Sequence, residues 1–147
     1  MLRAPEYAQL QKLVEESGAR LLAPLEMYTR THHLPEWYAL LEEFTPRTRF
    51  FGNAVAAVST LEFESGPFFV KDWVKSLSSA RGSIAANAAE ISEIANELGN
   101  YRGSLEGGLC VREVETFDTA TEDRFFVVAG EVFARSGIIR EIVQIAA

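Results

Sequence analysis

The stretch from Pro67 to Leu98 reads PFFVKDWVKSLSSARGSIAANAAEISEIANEL. Within it, Val70, Leu77, Ile84, Ile91 and Leu98 recur at seven-residue intervals. A strand alternates its faces every two residues and cannot keep such a series on one side. A helix completes nearly two turns in seven residues and can. Trp73, Val74, Ala80, Ala88, Ile94 and Ala95 sit alongside the series, and Asp72, Ser76, Ser79, Ser83, Glu90, Glu93 and Glu97 sit opposite. The spacing predicts one long amphipathic helix over 67–98, bent at Gly82 and closed by Gly99-Asn100.

Outward from this stretch, the N-terminal side reads as further helices. Pro5 suits a first helical turn, and Tyr7, Leu10, Leu13, Val14 and Leu21 follow with helical spacing. Leu25 and Tyr28 precede the pair His32-His33, which reads as a polar turn between two helices. Pro35 opens a short helix with Trp37, Leu40, Leu41 and Phe44, and Thr45-Pro46 ends it. Phe50, Phe51, Ala54, Val55, Val58 and Leu61 form another stripe, read as helix. On the C-terminal side, residues 101–108 read as a connecting loop. Leu109 to Phe117 leans to helix for want of a strand partner. Thr119 and Glu122 resemble a capping box before a last helix through Phe125, Val128, Val132 and Phe133. The expected fold is all-α: a single helical domain over 1–147, a compact bundle of about five helices around one long central helix.

Composition limits what such a domain does. Apolar residues make up 48 %, with ten Phe and two Trp, enough to build a core. The net charge is −7, and no basic stripe runs along the chain, so a nucleic-acid partner is not expected. No run of 18 apolar residues exists, so no membrane span is expected. The start, Met1-Leu2-Arg3-Ala4-Pro5-Glu6, lacks the apolar core of a signal peptide, and a cytoplasmic protein is expected. Cys110 is the sole cysteine and reads as a small buried residue, since no histidine lies near it in sequence to raise its reactivity.

Catalytic signatures are missing. Neither histidine follows a carboxylate at the Glu-x-x-His spacing of a di-iron bundle, and Glu90, Glu93 and Glu97 lie on the polar face. The run Arg102-Gly103-Ser104-Leu105-Glu106-Gly107-Gly108 lacks the Gly-Lys-Ser/Thr of a phosphate-binding loop. No metal and no cofactor are expected. The densest chemistry is Phe68-Phe69-Val70-Lys71-Asp72-Trp73-Val74-Lys75, where aromatic and basic side chains alternate. Phe68, Phe69, Lys71, Trp73 and Lys75 are the first interaction candidates, and the apolar tail adds Ile142 and Ile145. These features point to a non-enzymatic protein-binding module: an acidic adaptor, chaperone, immunity factor or inhibitor. A homodimer formed through the stripe and the tail is expected. The alternatives are a small-molecule or cofactor-binding bundle, and an enzyme whose site would involve His33, Glu36, Arg81 or Cys110.

Overall fold

The structure, a computed structural model, describes residues 2–77, 81–116, 123–137 and 142–144. In chain order the elements are α1 (Ala4–Glu16), α2 (Leu25–His32), α3 (Leu34–Leu41), β1 (Thr48–Phe51), α4 (Ala54–Leu61), β2 (Phe68–Asp72), β3 (Ile84–Ala85), α5 (Ala88–Arg102), β4 (Leu109–Glu113), β5 (Asp123–Val128), β6 (Glu131–Gly137) and β7 (Ile142–Gln144). They divide into two compact units, Met1–Val114 and Glu115–Ala147.

The all-α bundle does not form: the fold is mixed α/β with two antiparallel sheets. Where the long helix over 67–98 was expected, the described residues form β2, β3 and the start of α5. Two local causes override the seven-residue series. Phe68-Phe69-Val70-Lys71-Asp72 alternates buried and half-buried side chains, the period of a strand. Gly82 takes φ +71°, a left-handed conformation that interrupts a helix, among serines that favour turns. A new helix then starts at Asn87, whose side chain accepts the Glu90 N–H. The stripe nevertheless marks the core. Val70, Leu77, Ile91 and Leu98 all reach one buried cluster; Ile84, on an edge strand, stays 50 % exposed.

The first sheet has the order β1-β4-β2-β3, with every neighbouring pair antiparallel. β1 and β2 therefore run parallel with β4 between them, joined through α4. β3 and β4 run parallel with β2 between them, joined through α5. These are two interleaved split β-α-β units. The expectation of helix over 109–117 failed because β4 does have partners, both supplied by distant segments. On one face, Phe68, Val70, Ala85, Leu109 and Val111 pack with Ala57 and Leu61 of α4 and Ile91, Ile94, Ala95 and Leu98 of α5. Each fully buried Val, Leu or Ile is worth about 2 kcal/mol. Phe50 and Phe51, read as the start of a helix, are strand residues, and the helix begins at the Asn53 cap.

Helices form in the N-terminal region as expected, but α1 ends at Glu16, short of Leu21, and α3 ends at Leu41, short of Phe44. Tyr7 stacks on Tyr28 at 3.8 Å, and Gln11 Oε1 accepts the Leu25 N–H, joining α1 to α2. His33 closes α2 and precedes α3.

The second unit holds the antiparallel sheet β5-β6-β7 in place of the expected last helix. Ala129 and Gly130, with φ +51° and +87°, make the two-residue turn between β5 and β6. The capping box expected at Thr119 and Glu122 lies outside the described residues.

Candidate anion-binding site

The sheet face turned away from α4 and α5 carries the chemistry. Cross-strand pairing places Phe50, Cys110 and Lys71 in one row, and Thr48, Arg112, Phe69 and Ile84 in the next. Directly opposed residues project to the same side. Helix α3 covers part of this face: Leu34 and Tyr38 pack with Cys110, and Trp37 and Trp73 pack against them. Tyr38 also meets Phe50 edge-on at 5.4 Å, and its hydroxyl accepts the Thr48 N–H at 2.9 Å.

Beyond α3 lies Lys71. Its side chain is mostly buried, yet its ammonium makes no hydrogen bond or ion pair among the described residues. Burial pushes its pKa below the usual lysine value. Cys110 and Asp72 oppose that shift, and the positive charges of Arg112 and Lys75 add to it. Partial burial beside other cations disfavours the charged ammonium, and an arriving anion would offset that cost. Phe69, half-buried, and Ile84, half-exposed, supply apolar surface two residues away and one strand over.

Cys110 is no nucleophile in this setting. It is fully buried, and burial pushes its thiol pKa up to about 12, with Lys71 only partly offsetting the effect.

The turn after Lys71 is held by Asp72. This carboxylate is fully buried and accepts the N–H groups of Val74, at 2.7 Å, and Lys75. Trp73 lies against the glycine loop: a Cβ at Gly107 would run into its indole ring, and Gly107 holds φ +74°. His33 meets the Trp73 ring edge-on at 5.7 Å and approaches Glu106 Oε1 at 3.5 Å through Nε2.

A cavity of about 400 Å³ opens where β1 and β2 begin and β4 ends, lined by Arg47, Arg49, Glu64, Phe68, Arg112 and Glu113 among others. Two of its arginines are paired with carboxylates. Arg49 forks onto Glu64 at 2.6 and 2.7 Å, and that hydrogen bonding holds the Glu64 carboxyl below its usual pKa. Arg47 lies 3.7 Å from Glu113.

Of the residues singled out by sequence, the structure puts Phe69 and Lys71 on one sheet face and Lys75, exposed, in the turn that follows β2. Phe68 belongs to the core under α5, and Trp73 packs between α3 and the glycine loop. Ile142 is in β7, and Ile145 lies outside the described residues. Sequence reading missed Arg112, which comes from β4 and reaches the site only through strand pairing. The alternation Leu109-Cys110-Val111-Arg112 was the available signal. Among the described residues, no group of three His, Cys, Asp or Glu could hold a metal ion, and no helix is long and apolar enough to cross a membrane.

Comparison with known protein families and with characterised proteins finds no match to this chain.

Proposed function

We propose that this protein binds a small anionic molecule on the open sheet face, a phosphate or carboxylate compound with a flat apolar body. One observation carries the reading: Lys71 is mostly buried, with its ammonium unpaired among the described residues and other cations nearby. Lys71 and Lys75 supply point charges, and Phe69 and Ile84 offer apolar contact. A cytoplasmic setting belongs to the proposal, and the single buried thiol suits a reducing compartment.

Calorimetric titration with phenyl phosphate, inorganic phosphate and benzoate tests it. Phenyl phosphate binding more tightly than inorganic phosphate, and lost in Lys71→Met, supports the site. Benzoate binding alone assigns a carboxylate ligand. Equal binding by wild type and Lys71→Met sinks the idea.

A second reading, protein binding, is favoured by β5. Phe125, Phe126, Val127 and Val128 are all exposed, and among the described residues this strand pairs on one side only. An apolar edge strand recruits another strand, and a second copy of this chain would supply one. Sedimentation should then show a dimer that Val127→Lys dissociates. A monomer at tens of micromolar, a concentration at which about 8 kcal/mol of association would show, counts against it.

A further inference from the structure

We infer that Asp72 and Glu106 form a positioning relay that aims Lys71 and Lys75 and ties their geometry to the junction of α2 and α3; the inference rests on the reading of Lys71 as an anion-binding group. Asp72 is 0 % exposed. Its Oδ1 accepts the Val74 and Lys75 N–H groups, and its own N–H donates to the Lys75 carbonyl at 2.9 Å. Those bonds close the turn immediately after Lys71 and fix the backbone at Lys75.

The other carboxylate oxygen faces the glycine loop. Oδ2 accepts the Glu106 N–H at 3.4 Å, and the Glu106 carbonyl accepts the Trp73 N–H at 3.3 Å. The Glu106 side chain then reaches His33 Nε2 at 3.5 Å, both side chains being about nine-tenths buried. His33 is the residue between α2 and α3, and the next N–H, of Leu34, donates to the Trp73 carbonyl at 2.9 Å. Contacts therefore run from the two lysines to the helix junction through one loop.

A surface turn needs no buried charge; an exposed Asn or Ser would close it. Burying a carboxylate costs free energy unless several donors converge on it. Here they do, and they come from two segments, which is what a positioning group requires.

Asp72→Asn tests the relay. It keeps one oxygen for the turn and presents an amide to the Glu106 N–H. Near-native circular dichroism is expected, with the affinity for phenyl phosphate weakened about tenfold. The His33 imidazole resonances of the ligand-free protein should also shift. Unchanged resonances, or an unchanged affinity, would overturn the relay. Wild-type protein that takes up no phenyl phosphate overturns the site reading instead, and the His33 resonances then decide the relay alone. If Asp72→Asn does not fold, Glu106→Gln is read by the same two signals.

Discussion

Phe68-Phe69-Val70 in β2 and Phe125-Phe126-Val127 in β5 are alike in composition, and they end in opposite surroundings. In β2 Phe68 and Val70 sink into the cluster under α5, and the odd-numbered residues face a partly covered second side. In β5 every residue is exposed. Both segments pair as antiparallel strands, so aromatic and β-branched content accounts for the strand in each. Burial does not follow from that content. It follows from whether another element lays an apolar face on the strand, as α5 does on β2.

The largest expected effect is at the covered sheet's rim. Gly107→Ala puts a Cβ into the Trp73 ring at a position with φ +74°. Two penalties combine there, and the variant should lose about 3–4 kcal/mol in urea unfolding. Retention of wild-type stability would mean the loop is not seated on Trp73.

Next comes the matched pair that compares the sheets directly. Val70→Ala, in the core, should cost about 2 kcal/mol, and Val127→Ala, on exposed β5, about 0.5 kcal/mol or less. Equal losses would show that β5 is covered in solution.

Lys71→Met gives a smaller effect of opposite sign. A lysine with a lowered folded-state pKa carries a penalty that is full below that value and gone above the ordinary 10.5. At neutral pH the methionine variant should therefore be more stable by about 1 kcal/mol. The gain should shrink as pH rises toward 10.5. A variant less stable than wild type at pH 7 would mean the ammonium contributes to folding, against the ligand reading.

The smallest change is in the hairpin of the exposed sheet. Ala129 holds φ +51°, which Asn adopts at lower cost, so Ala129→Asn should add about 0.5 kcal/mol. No gain would place the turn outside the left-handed conformation.

Much of the candidate site was within reach of the sequence. Lys71, Lys75 and Phe69 belong to one basic and aromatic run, and its interleaving drew attention to them. Cys110 was named only as a buried thiol or a residue of an alternative enzyme site, and Arg112 was not singled out, because both join that run only through the pairing of β2 with β4. Asp72 was read as a polar-face residue of a helix. In the structure it is fully buried, and its role depends on a loop more than thirty residues away. The 67–98 helix failed for a related reason. Seven-residue spacing is a property of selected positions, whereas the alternation at 68–72, the serines near Gly82 and the Asn87 cap act on every residue between them.

What the sequence determined by itself is an apolar stripe from which part of the core is drawn, although Ile84 of that stripe stays half exposed. Val70, Leu77, Ile91, Leu98 and Cys110 are buried although their elements differ from a bundle, because transfer free energy belongs to the side chain. It also determined the N-terminal helices, whose hydrogen bonds close within a few residues. The tertiary structure alone decided that β4 enters between β1 and β2, and which face of the sheet each residue shows. A strand's hydrogen bonds are met by distant chain, so its existence and its exposure depend on a partner that no local pattern names.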